Sequence, residues 1–214
     1  MKRVDKKVLQ GDEQLFTKYN WISADQLSGE NKVLNSPLFH SAFNLILEKH
    51  TPTHSTAFLS LCTATRPYSL SKKWKKFISE FENKADLIVV SNGGFVPREF
   101  WYSYPFLNYD AGEHQNDDLY KTVMYDRMIK FFKTHRYEYV LANFSPKQRN
   151  QEPAEQSLVK LKADGFISDF MVIPDSDTYQ EARSQGWVTG SMFPDLHPII
   201  FKELKSCIDK YQRK

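Results

Sequence analysis

Two segments of this chain concentrate side chains able to act on anions and polar heterocycles. The first, Cys62-Thr63-Ala64-Thr65-Arg66-Pro67-Tyr68-Ser69-Leu70-Ser71, combines a thiol, a guanidinium and a run of hydroxyls. A thiol becomes a nucleophile where a cation or a helix N-terminus favours its thiolate, and a guanidinium fork suits phosphate or carboxylate. The alternatives are a small buried hydrophobe for Cys62 and a surface ion pair for Arg66. The second segment, Ser91 to Asp110, carries the glycine pair Gly93-Gly94, Val96-Pro97-Arg98 and a dense set of aromatics from Phe95 to Tyr104. Its glycines let backbone N–H groups approach a ligand, and its rings suit either base stacking or a core. Asn143, Ser145 and Lys147, then Asp175 and Ser176, follow two later apolar runs and read first as helix caps.

These residues need a scaffold, and four apolar runs supply one: Ala57–Cys62, Leu87–Val90, Tyr139–Ala142 and Phe170–Ile173. Their lack of alternation reads as strands buried on both faces, hence parallel. Between them lie helical patterns. Ser71 caps one with Trp74, Phe77, Ile78 and Phe81 on its inner stripe and Lys72, Lys73, Lys75 and Lys76 toward solvent; Asp117 or Asp118 opens a second; Pro153 opens a third. A last helix from about Pro198 buries Ile200, Leu204 and Ile208. The order predicts an α/β fold, a three-layer doubly wound, mainly parallel sheet over residues 51–214, preceded by a helical extension over residues 1–50 whose helix starts at Ser36-Pro37. In such a sheet ligands bind at the carboxyl ends of the strands, where both chemical segments fall.

Composition narrows the classes. With 29 Lys and Arg against 26 Asp and Glu, the net charge of +3 falls short of a free-standing nucleic-acid binder, so a polyanion must meet a local patch. Lys2–Lys7, Lys72–Lys76 and Lys202–Lys214 are the candidates, with a solvated helix face the simpler account of each. Two cysteines exclude a disulfide framework and a four-cysteine zinc site. His50 and His54 flank Pro52, which disfavours helical metal geometry, and no zinc, P-loop, dinucleotide or hydrolase signature occurs, so neither a metal nor a cofactor is expected. A charged start without an apolar segment, and no 18-residue apolar run, predict a cytoplasmic protein that does not enter a membrane.

The two segments together resemble the core domain of archaeosine synthase, a relative of the archaeal tRNA-guanine transglycosylases. The family's first block spaces Cys, Lys-Pro-Tyr, Ser and His as Cys62, Arg66-Pro67-Tyr68, Ser71 and Trp74 are spaced here; its second reappears as Ser91, Gly94, Val96-Pro97-Arg98, Tyr104-Pro105 and Tyr109-Asp110. The match covers about Phe58 to Asn143. It implies a fold similar to uracil-DNA glycosylase, and a transferase that attaches free lysine to the nitrile of 7-cyano-7-deazaguanine in tRNA. On that resemblance Cys62 and Asp110 are catalytic, as nucleophile and proton acceptor, Arg98 lies over a phosphate, and Arg66, Tyr68, Ser71, Ser91, Gly94, Tyr109 and Asn143 bind substrate. Family imidazoles are replaced here by Trp74, Asn108 and Asn143. The alternative is therefore a non-catalytic base- or nucleic-acid-binding subunit of a 7-deazaguanine modification complex. The expected partners are tRNA or another nucleic acid carrying such a base, free lysine, and a partner chain supplying the RNA-binding or transglycosylase-like regions of full-length relatives.

Overall fold

The computed structural model describes residues 27–103, 105–107, 109–110, 117–146, 148–185 and 194–212. Strands β1 (Leu27–Ser28), β2 (Thr56–Leu61), β3 (Asp86–Ser91), β4 (Gly94–Pro97), β5 (Tyr109–Asp110), β6 (Tyr139–Asn143) and β7 (Asp169–Ile173) alternate with helices. These are α1 (Glu30–Leu34), α2 (Pro37–Lys49), α3 (Lys72–Phe81), α4 (Asp117–Thr134), α5 (Gln151–Ala163), α6 (Ser176–Ser184) and α7 (Pro198–Tyr211). Five strands form one sheet in the order β4-β3-β2-β6-β7, parallel except for β4, which returns antiparallel to β3. The fold is α/β with a mostly parallel sheet, as expected.

β2, β3 and β6 are buried along nearly their whole length, as parallel strands covered on both faces must be. On one face Phe58 of β2 meets Trp74, Phe77 and Phe81 of α3, and Phe201 of α7 stacks on Phe77 and Phe81. The chain moves from β2 to β3 through α3, then crosses back beyond β2 to β6 through α4. Right-handed crossovers in opposite directions put α3 and α4 on opposite faces. β7 departs from the expected two-sided burial: it is an edge strand, half-exposed over most of its length.

Capping explains where α3 starts, since the Ser71 hydroxyl accepts the Trp74 N–H at 3.1 Å. Its lysines do not all face solvent. Lys73 is buried and pairs with Asp195 at 2.7 Å, which ties α3 to the turn before α7. The glycine pair belongs to the tight β3–β4 turn, where the close approach it permits is that of α2. A Cβ on Gly93 would lie 2.4 Å from the Phe39 ring, and Gly94 has φ +128 with Phe43 3.0 Å from its would-be Cβ. Arg127 of α4 completes this corner, donating to the carbonyls of Asn92 at 2.7 Å and Leu34 at 3.3 Å. Of the aromatic cluster, Phe95, Phe100 and Trp101 are core, while Tyr104 lies outside the described residues.

Candidate functional site at the carboxyl-terminal rim

β2 is the first strand of the large sheet; its successor β3 lies on one side and β6 on the other. The order of connection therefore reverses between β2 and β6, which run parallel, and in open parallel sheets such a switch point at the carboxyl ends is where ligands bind. Cys62 directly follows β2, its N–H bonded to the Val90 carbonyl at 2.9 Å, and Asn143 ends β6. The β2 loop then folds back so that the Arg66 guanidinium lies 4.4 Å from the centre of the Tyr68 ring and 4.7 Å from that of Tyr109. The two phenol oxygens are 3.2 Å apart, and the Ser91 hydroxyl hydrogen-bonds Tyr109. The short parallel pairing of β1 with β5 sets Tyr109 in place.

Electrostatics follow from this burial. Burial opposes the Arg66 charge, but the flanking Tyr68 and Tyr109 hydroxyls and the Cys62 thiol outweigh it and hold the guanidinium protonated above its ordinary range. Burial pushes Tyr68 and Tyr109 above the ordinary phenol range, so both are neutral near pH 7. The Cys62 thiol is within electrostatic range of Arg66, Tyr68, Tyr109 and Tyr120. One fixed cation, two neutral phenols and a thiol thus share a rim that excludes much of the solvent. Three polar atoms there are buried without a hydrogen-bond partner among the described residues: Arg66 Nε, Asn143 Oδ1 and Ser145 Oγ. Buried polar groups in folded proteins are nearly always satisfied, so such atoms are free to take a further partner, a water or a ligand group.

The predicted residues divide into three groups. Cys62, Arg66, Tyr68, Ser91 and Tyr109 come together, with Asn143 at the neighbouring strand end donating to Ser60 Oγ at 3.1 Å. Ser71 spends its hydroxyl on the α3 cap, and Gly94 on the packing of α2. Arg98 stands apart. It follows β4 at the amino-terminal end of the sheet and pairs with Glu82, with the buried indole of Trp101 three residues on and edge-to-face with Tyr68 at 5.9 Å. Asp110 pairs with Ser28 in the β1–β5 ladder; its side chain, and the whole of Lys147, lie outside what is described.

Sequence reasoning missed a second layer behind the thiol. Glu30, wholly buried, accepts from Arg149 Nη1 at 2.6 Å and Asn92 Nδ2 at 3.0 Å. Arg149 lies face-on over Tyr120 at 3.7 Å and reaches Asp117 at 3.2 Å. Tyr120, raised by burial, is bonded by Asn150 Nδ2. Only tertiary structure joins residues 30, 92, 120 and 149, and no local spacing signals it.

The profile of a family described as "Domain of unknown function (DUF5591)" matches residues 42–171, and the chain belongs to that family. Among curated proteins none matches. A solved structure, described as AF0587, a protein of unknown function, is similar with a TM-score of 0.54 at 18% identity, covering 78% of this chain. The matched part is 49% of that protein, so this chain spans about half the length of its structural relative; the likeness is one of fold.

Proposed function

We propose that the rim between β2 and β6 holds a 7-deazaguanine base and that Cys62 is the nucleophile of a lysine transfer to the nitrile of 7-cyano-7-deazaguanine in tRNA, on a fold of the uracil-DNA glycosylase type. The observation that carries the reading is the thiol directly after β2, on the loop whose Arg66 guanidinium lies over the rings of both Tyr68 and Tyr109. The thiol sulfur adds to the nitrile carbon and its proton passes to the nitrile nitrogen, giving a thioimidate. The lysine amine then adds to the same carbon; the C–S bond breaks, the thiol recovers a proton from the amine, and an amidine remains. Arg66 and the phenols of Tyr68 and Tyr109 stabilise the charge that builds on nitrogen, and Asp110 is the proton acceptor that takes the amine's proton and returns it to the leaving sulfur. Asn143 Oδ1 is the hydrogen-bond acceptor for a donor edge of the base.

A second reading, a base-binding subunit without catalysis, is favoured by where the imidazoles are. Three of the five described histidines, His50, His54 and His135, gather at the opposite end of the strands, while His40 lies on α2 and His197 directly precedes α7. Intact-protein mass spectrometry after incubation with free 7-cyano-7-deazaguanine separates the two. An added mass equal to the base, lost in Cys62→Ala, supports the enzyme; saturable binding without a covalent adduct supports the subunit.

A further inference from the structure

At the amino-terminal end of the same sheet lies a groove of about 470 Å³ that the rim chemistry does not use. Asp86, the first residue of β3, is its hub. Its carboxylate accepts from the Thr53 N–H at 2.8 Å, the Thr53 hydroxyl, Tyr137 Oη at 3.0 Å and His54 Nδ1 at 2.9 Å. Burial alone would raise the pKa of Asp86, but these hydrogen bonds outweigh it and hold the group below the usual carboxylate range. An ionised Asp86 accepts only, so His54 carries its proton on Nδ1, and Nε2 is left with a lone pair. That nitrogen has no hydrogen-bond partner among the described residues, and the ring lines the groove with its side chain 27% exposed.

The remaining charged lining is mostly acceptor as well. Glu99 binds His50 Nδ1 at 2.6 Å through one oxygen, Glu82 pairs with Arg98, and both carboxylates are 35% exposed. Ala85, Leu87 and Pro97 supply apolar wall. Three carboxylates against one guanidinium leave the cavity net negative when its imidazoles are neutral, on a chain of net charge +3. A phosphate or carboxylate ligand is repelled there. A cation rich in N–H donors meets the His54 lone pair, carboxylate oxygens and an apolar wall for its carbon skeleton.

We propose that this groove is a second ligand site, separate from the rim, that takes a small organic cation bearing a guanidinium or primary ammonium group, with His54 Nε2 as the orienting acceptor and Asp86 as the positioning residue that fixes its tautomer. It is independent of the reading of Cys62. The probes are n-butylguanidinium and n-butylammonium at pH 8, where an ordinary imidazole is neutral, with n-butanol as the uncharged control, followed by calorimetry and by the His54 ring resonances. Saturable binding of either cation in the millimolar range is expected, with none of n-butanol. Asp86→Asn reverses the dyad: the amide donates to Nδ1, the proton moves to Nε2, and the groove presents a donor to a donor. Affinity should fall at least tenfold, whereas Glu82→Gln, which removes one charge and leaves the tautomer alone, should cost about threefold or less. His54→Phe keeps a ring without the acceptor and should also lose at least tenfold, which serves if Asp86→Asn does not fold. No binding by the native protein at 50 mM, equal losses in Asp86→Asn and Glu82→Gln, or full affinity in His54→Phe would each overturn the proposal.

Discussion

The two ends of the central strands carry opposite kinds of polar chemistry. At the carboxyl-terminal rim the groups are a thiol, a guanidinium and phenols, and Arg66 Nε, Asn143 Oδ1 and Ser145 Oγ are left without partners. At the amino-terminal end, His50, Tyr137, Asp86 and Thr53 bond one another in a network with His54 at its margin, and Thr56 Oγ1 and His135 Nε2 are buried there without partners among the described residues. The rim sets a cation among hydroxyls, whereas the amino-terminal end builds a hydrogen-bonded network around an ionised carboxylate, so the two ends favour ligands of opposite charge. At each end the groups committed to one another stabilise the fold, and those left over, Arg66 Nε and Asn143 Oδ1 at the rim and His54 Nε2 in the groove, are available to a ligand.

The sharpest way to break the contrast is at the residue the two regions share. Trp101 packs edge-to-face on Tyr68 and Trp74, donates its indole N–H to the Val96 carbonyl at 2.9 Å, and lines the groove. Trp101→Ala should cost about 3–5 kcal/mol in denaturant unfolding and disturb both ends together. A loss below about 1 kcal/mol would mean that the regions do not lean on this ring. Next is Arg66→Lys at the rim. An ammonium keeps the charge but cannot lie as a planar fork between two rings, so base binding should weaken roughly 100-fold, about 2.7 kcal/mol, with little change in melting temperature. Unchanged affinity would reduce Arg66 to a packing residue.

Acid should discriminate the ends in the other direction. Burial, helped by His50, pushes the His135 imidazole down to about 4, whereas the unfolded chain titrates near 6.5. Between those values the unfolded state binds more protons, so stability falls as the pH drops from about 6.5 to 4, by roughly 2–3 kcal/mol. Asp86 adds a loss at lower pH: its folded pKa is depressed, so its contribution is present above the ordinary carboxylate range and disappears as the pH falls through the folded value. Chemical denaturation of His135→Phe across this range should show a flatter profile than the native protein, and an unchanged slope would remove the histidine from the account. The smallest effect is expected at Ser71, whose hydroxyl is committed to a helix cap. Ser71→Ala should cost about 1 kcal/mol of stability and leave base affinity unaltered. A loss of affinity instead would return Ser71 to the substrate.

Much of the scaffold was legible in the residues, because buried parallel strands and amphipathic helices leave strong patterns. The two-residue Asn92-Gly93 connection between Val89-Val90 and Phe95-Val96 is a hairpin signal that marks β4, a strand the four apolar runs do not include. Helix α6 is not among the helical patterns of the sequence, although its cap, Asp175, reads as one: that carboxylate accepts the Thr178 N–H at 2.7 Å. At the site, the grouping of Cys62 with Arg66 and Tyr68 follows from one short loop, and so was readable. Arg98 was not, because an antiparallel return carries it to the far end of the sheet, a turn that residue types do not display. Glu30, Tyr120 and Arg149 were invisible for a similar reason, since each meets the others only through tertiary packing. Lys73 was misassigned because a lysine between outward-facing neighbours looks like any other until its carboxylate partner, 122 residues away, is known.

The most direct test of the central claim is to incubate the protein with isotopically labelled lysine and a tRNA containing 7-cyano-7-deazaguanine, and to weigh the digested nucleosides. A modified base heavier by one lysine is expected with the native chain and none with Cys62→Ala. Equal lysine incorporation by both proteins would contradict it.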